Sequence, residues 1–238
     1  MTRIISLEGN IGSGKSTFNR ALEAYFADET NCCGLKICFL LEPVDIWNTI
    51  KDTDGRTMIE CYYADQERYA FPFQMMAYIS RIAQIRQTIR KNPYAILITE
   101  RSVYTDKNVF AQMLYNNKKI EKVNYEIYLK WFDEFTSDLP LNGIIYIKTD
   151  PEICNKRISE RNRKGETVPL DYSIQCHNYH EEWLNKTKSP VLVLDGNRSY
   201  KTHITDDWLS KIKIFIHPNI DQEMAQCNNY DWQHKTFC

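Results

Sequence analysis

Apolar residues fall along this chain in two rhythms. Short runs with little polar interruption stand at Ile4 to Leu7, Ile37 to Leu41, Ala95 to Ile98, Ile144 to Ile147 and Val191 to Leu194. Such runs mark strands buried on both faces. Between them, apolar residues recur at helical spacing over Ser16 to Phe26, Phe73 to Arg90, Tyr125 to Phe135, Pro151 to Arg163 and about Leu170 to Lys186. The alternation predicts an α/β fold, a five-stranded parallel sheet flanked by helices. Such sheets collect ligands at the carboxyl ends of their strands. From about His217 the pattern dissolves into Asn, Gln, Asp and isolated aromatics, so residues 1–216 are expected to form one domain and 217–238 a poorly ordered tail.

Chemistry follows three of the strands. After the first, Gly9, Asn10, Ile11, Gly12, Ser13, Gly14, Lys15 and Ser16 match G-x-x-x-x-G-K-[ST], and a helical pattern continues from Thr17. Glycines let successive backbone N–H groups point at one anion, Lys15 adds positive charge, and the Ser16 hydroxyl can ligate magnesium. The flanking strand and helix argue against a ligand-free glycine turn. After the second strand, Glu42 precedes Pro43, which turns the chain across the cleft. Glu42 either takes a proton from an attacking hydroxyl or caps and pairs locally. Trp47 either floors a base pocket or belongs to the core. After the third strand come Thr99, Glu100, Arg101 and Ser102. No aspartate stands there for metal, so Glu100 is read as the magnesium partner of Ser16, and Arg101 as a stabiliser of phosphoryl charge. A structural ion pair is the plainer alternative.

A basic segment runs from Lys156 to Glu166. Arg157 and Arg161 are four apart and share a helical face, while Arg161 and Arg163 bracket the expected helix end. Guanidinium planes stack on nucleobases and fork onto phosphate oxygens. A solvated basic helix end is the bland reading; the phosphate loop elsewhere favours the functional one. His177 and His180 stand three apart on a helix without a Cys or acidic partner at metal spacing.

Composition narrows the class. A formal net charge of -1 over 238 residues gives no overall attraction to polymeric nucleic acid or an anionic membrane. The eight cysteines are scattered without a C-x-x-C pair, the adjacent Cys32 and Cys33 included, and are read as reduced thiols of a cytoplasmic protein. Neither a leader nor an apolar stretch of membrane length is apparent.

In order along the chain, Glu8 to Ser16, Glu42-Pro43-Val44 with Trp47, Phe73-Gln74 behind Pro72, Glu100 to Tyr104 and the arginine-rich segment together resemble the deoxyribonucleoside kinase family, from about Ile4 to Tyr200. The resemblance implies a P-loop kinase with an arginine-rich lid, which uses ATP and Mg2+ to phosphorylate the 5′-hydroxyl of a deoxyribonucleoside in nucleotide salvage. It casts Glu42 as general base, with Arg101 supporting that carboxylate and the moving charge. It places Gln74 on the base edge between Trp47, Phe73 and Phe110, and Tyr63 with Glu166 on the sugar 3′-hydroxyl. Arg157 and Arg161 sandwich the donor adenine, Arg161 and Arg163 reach phosphate, and Tyr200 is the counterpart of an aromatic near the donor base. Between Glu166 and Val168 the lid is one residue shorter than in animal members. Arg81 and Asp106 match the Arg-Asp pair of the deoxycytidine and deoxyguanosine kinases, and Ala77 the former, which implies deoxycytidine or a purine deoxynucleoside over thymidine. A homodimer and feedback binding of a deoxynucleoside triphosphate are implied too. The rivals are a nucleoside monophosphate kinase, such as a thymidylate kinase, and a catalytically silent assembly subunit.

Overall fold

Each of the five apolar runs is a strand. In this computed structural model, which describes residues 2–27, 36–163, 166–198 and 204–217, they are β1 (Arg3–Glu8), β2 (Ile37–Leu40), β3 (Ile96–Glu100), β4 (Gly143–Lys148) and β5 (Val191–Asp195). Cys32, Cys33, Tyr200 and the tail beyond 217 lie outside the described residues. The sheet order is β2-β3-β1-β4-β5 with every neighbouring pair parallel. Ile5 pairs with Ile98 on one side, and Leu7 with Ile145 on the other. β1 is therefore central, and the loop that leaves it opens between the ends of β3 and β4.

Side-chain alternation sorts the core into two layers. Ile5, Leu7, Ile98 and Ile145 pack with Phe18, Leu22 and Phe26 of α1 (Lys15–Phe26) and with Leu209 and Ile212 of the last helix, Asp206–Ile216. Ile4 and Leu97 face the other way, onto Tyr78 and Ile82 of a long helix (Gln66–Lys91) and Tyr128 and Phe132 of another (Lys122–Thr136). Full burial of each such side chain contributes about 1.5–3 kcal/mol.

Between β2 and β3 come α2 (Val44–Trp47), α3 (Met58–Ala64) and the long helix, α4. The sequence pattern starts α4 at Phe73, because Pro72 reads as a break. The helix in fact begins at Gln66, where the Asp65 carboxylate accepts the Arg68 N–H at 3.1 Å, and Pro72 lies inside it. After β3, α5 (Val103–Thr105), a π-helical segment (Asp106–Ala111) and α6 (Gln112–Asn116) run on as one stretch that the pattern does not reveal. The Lys122–Thr136 helix is α7, α8 spans Pro151–Arg161, α9 Leu170–Lys186, and the last helix is α10. α8 stops two residues short of Arg163, because Asn162 adopts left-handed φ and ψ of 45° and 52°. No described helix is long and apolar enough to cross a membrane.

Candidate active site

Backbone geometry builds the anion cradle first. Gly12 and Gly14 have φ of 77° and 97°, the left-handed region that favours glycine. Gly14 is also the N-cap of α1, so the positive end of that helix faces the loop. Asn10 fastens the cradle from behind, donating its side-chain amide to the Ser173 carbonyl at 2.8 Å. Lys15 is buried, and its Nζ donates to the Gly9 and Asn10 carbonyls at 3.0 and 2.7 Å. Burial, then the nearby Arg101 charge, bring its pKa down to about 8 against the opposing pull of Glu100 and Glu42.

The corner after β3 stands beside it. Ser16 Oγ donates to Glu100 Oε1 at 2.6 Å, so two hard oxygen donors meet at the mouth of the loop. Arg101 has a φ of 61°, a setting that costs a residue with a Cβ roughly 1–2 kcal/mol. That turn points the guanidinium back across the sheet edge. Its Nη1 donates to Glu42 Oε1 at 2.8 Å, while its buried Nε and Nη2 carry no hydrogen bond. Buried unpaired donors are costly unless a ligand meets them.

Glu42 is the meeting point of three cations. Arg81 Nη2 donates to the same oxygen at 3.3 Å, and Lys15 stands nearby. Burial works against ionisation, but Arg101, Arg81 and Lys15 outweigh it and hold the carboxyl at about 2. The side chain keeps 18% of its surface exposed, enough for a ligand to reach it. Arg81 also binds Asp106 Oδ2 through Nε at 3.0 Å and the Glu100 carbonyl through Nη1 at 2.7 Å. Burial pushes the Asp106 carboxyl up to about 6 against the pull of Arg81. At neutral pH the pair is therefore ionic.

One open cleft of about 720 Å3 joins these groups to an aromatic chamber. Trp47, Phe73, Gln74, Ala77 and Phe110 line it. Trp47 also belongs to a small core cluster with Ile59 and Ala77, and its indole N–H donates to Ser80 Oγ at 2.8 Å. Trp47 is thus a core residue that also lines the cleft. Phe73 meets Trp47 edge-on at 5.7 Å, and Arg101 lies 5.1 Å over the Phe110 ring. Gln74 Oε1 is buried without a partner, an amide oxygen left for a ligand's donor.

A cradle for phosphates and a carboxylate beside a flat, polar-edged chamber suit a nucleoside acceptor, and comparison with known proteins agrees. Residues 5–217 match the Deoxynucleoside kinase family. The chain belongs to that family. Human deoxycytidine kinase is 33% identical, with 90% of this chain and 92% of that protein covered. Deoxycytidine kinase 2 of Gallus gallus is 32% identical, with 90% of each covered. The mitochondrial deoxyguanosine kinase of Xenopus laevis is 30% identical, with 89% of each covered. This deoxynucleoside kinase is a phosphotransferase, and family membership implies ATP as its donor.

Thr17, Arg157, Arg161 and Arg163 line the same cleft, whereas Gly9, Asn10 and Ser13 of the loop are not among its lining residues. Arg157 is already engaged: Nη1 donates to the Ser13 and Gly196 carbonyls at 3.2 and 3.0 Å, and Nη2 to the Arg198 carbonyl at 3.5 Å. Arg161 forms an ion pair with Glu166, and Tyr63 and Glu166 both face the cleft. Among the described residues, no group of three or more His, Cys, Asp or Glu is placed to hold a metal. A metal at Ser16 and Glu100 would complete its shell with phosphate and water oxygens.

Sequence reasoning missed Tyr62 and Tyr172, and it counted Glu8 in the loop motif without giving it a role. Tyr62 stacks on Phe73 at 4.5 Å, and its hydroxyl lies 3.0 Å from that of Tyr172 across the cleft wall. Neither tyrosine falls in a spacing that marks a site. Glu8 had a signal, a carboxylate ending an apolar strand.

Proposed function

We propose that the kinase transfers the γ-phosphoryl group of ATP to the 5′-hydroxyl of a deoxynucleoside, with Glu42 accepting the proton and Arg101 holding that carboxylate and the migrating charge. One observation carries this reading: Glu42 shares a cleft with the Lys15 cradle and is fixed there by Arg101 and Arg81. A carboxylate suits a neutral hydroxyl, whereas an acceptor phosphate would call for cations free of acidic partners. Phosphate binds at the N-terminus of α1 and at Lys15, and the unpaired Nε and Nη2 of Arg101 supply donors toward the phosphoryl path. Ser16 and Glu100 would hold magnesium, which supplies charge to the donor phosphates when bound. Gln74 takes the base edge, Tyr63 and Glu166 the 3′-hydroxyl, and Arg157, Arg161 and Arg163 the donor.

The Arg81–Asp106 pair supports deoxycytidine or a purine deoxynucleoside over thymidine. It fills the chamber wall with buried, oriented charge that can meet an exocyclic amine or ring nitrogen, and it crowds a 5-methyl group. The named relatives, deoxycytidine and deoxyguanosine kinases, agree with that preference. A homodimer through α4 and α7, inhibition by a deoxynucleoside triphosphate spanning both halves of the cleft, and cytoplasmic residence complete the reading. The test is steady-state kinetics with the four deoxynucleosides and their 5′-monophosphates as acceptors. Turnover of nucleosides, with thymidine the poorest, is expected. Turnover of monophosphates alone would overturn the acceptor reading, and a tenfold thymidine preference would overturn the base reading.

A further inference from the structure

The mechanism leaves one buried acid unused. Glu8 ends β1 with no exposed surface. Its two carboxylate oxygens accept from Ser102 Oγ at 2.9 Å and Thr105 Oγ1 at 2.6 Å. These two hydroxyls also cap α5 reciprocally: Ser102 Oγ accepts the Thr105 N–H at 3.3 Å, and Thr105 Oγ1 accepts the Ser102 N–H at 3.2 Å. Glu8 therefore orients the whole first turn of α5.

That turn hangs directly from Arg101. The Arg101 N–H donates to the Leu7 carbonyl at 3.0 Å, and the residue after Glu8, Gly9, gives its carbonyl to Lys15 Nζ at 3.0 Å. Three consecutive residues, the last two of β1 and the first of the loop, thus fix the Arg101 backbone, the cap that follows Arg101, and the Lys15 ammonium. Arg101 needs such anchors on both sides, because nothing intrinsic keeps a residue with a Cβ at a φ of 61°.

We propose that Glu8 is a positioning residue for phosphoryl transfer: by fixing Ser102 and Thr105 it sets the direction of the Arg101 guanidinium and ties it in register to the P-loop. The inference rests on the role given to Arg101 above. Glu8→Gln keeps the shape of the side chain but removes its charge and turns one acceptor into a donor, so one of the two hydroxyls must turn from donating to accepting and the cap must rearrange. Misplacing Arg101 should lower kcat by about ten- to a hundredfold while KM for ATP and nucleoside stays within about threefold, the pattern of an interaction made in the transition state. In an Arg101→Ala background, Glu8→Gln should lower kcat by less than about twofold further. Thr105→Val, which removes one hydroxyl from the other side, is measured in the same cycle should Glu8→Gln not fold. Unchanged kcat in the folded single variants, or the full loss repeated in the Arg101→Ala background, would overturn the proposal. Full activity in Arg101→Ala alone would instead remove the role of Arg101, and the proposal with it.

Discussion

A carboxyl held at about 2 is a weak base. Arg101, Arg81 and Lys15 keep Glu42 ionised at every working pH, at the expense of its proton affinity. It therefore cannot deprotonate a free alcohol beforehand. As the proposed base it would accept the proton late, once the 5′-oxygen is bonding to phosphorus and has become acidic, which suits the loose transition state of phosphoryl transfer. Lys15 has the opposite problem: burial lowers its pKa to about 8, so its charge costs the folded chain roughly 3 kcal/mol at pH 7. The folded form binds fewer protons than the unfolded one between about 8 and 10.5, so this group alone makes stability rise with pH there. Donor phosphates bound at Lys15 would reverse the effect by holding the proton on. The pH profile should show both groups. kcat/KM for ATP should fall above about 8, as free enzyme loses the Lys15 charge, while the limb in kcat lies higher. Glu42→Gln should lower kcat by roughly two to four orders of magnitude and leave the acid side of the profile unchanged in shape. An acid limb near neutrality that vanishes in Glu42→Gln would contradict this account, as would full activity of that variant.

At the scale of elements, what was legible depended on whether a residue's role is local. The five strands and the phosphate loop stand out because buried parallel strands are continuous apolar runs and the loop's glycines have fixed offsets. The start of α4 was hidden by Pro72, since a proline signals a break whether or not tertiary packing holds the helix through it. The stretch from α5 to α6 was hidden by its short pieces, and Tyr62 and Tyr172 by meeting only in space. Arg157 is the instructive mixture. Its helical spacing from Arg161 was plain, yet its three carbonyl partners come from the P-loop and the turn after β5, positions no local pattern connects. It braces α8 against both. Arg157→Lys retains charge but loses the fork of donors, and α8 should sit less firmly over the donor. KM for ATP should rise about tenfold, as expected for the loss of roughly 1–2 kcal/mol of charge-assisted hydrogen bonding, with KM for nucleoside unmoved. Equal rises in both constants would mean that the brace serves the whole cleft.

For the whole molecule, one surface does not match the rest. α7 buries Tyr128 and Phe132 against Tyr78 of α4 and Tyr125 against Tyr115 of α6, but its opposite side presents Val123, Ile127 and Trp131, exposed by 61%, 41% and 45%. These residues are spaced by four and form one stripe, and Ile79 on α4 is exposed as well, at 53%. Phe135 stacks on Trp131 at 5.7 Å. The two helices are joined beneath the stripe by the Tyr78 hydroxyl, which donates to the Trp131 carbonyl at 2.7 Å. A continuous apolar stripe on a firm two-helix support is what a two-fold interface requires, because each copy offers the same patch to the other. The two sides of α4 differ: Gln74 and Arg81 face the cleft, so a dimer through its outer side would stiffen the helix that lines the proposed base site. Sedimentation of the wild-type kinase should therefore give a dimer at micromolar concentration. Trp131→Glu places a charge in the middle of the stripe, where burying it unpaired is costly, and should give a monomer whose KM for nucleoside rises while KM for ATP holds. A wild-type monomer would remove the interface from this face. A Trp131→Glu monomer with unaltered KM for nucleoside would separate assembly from the site.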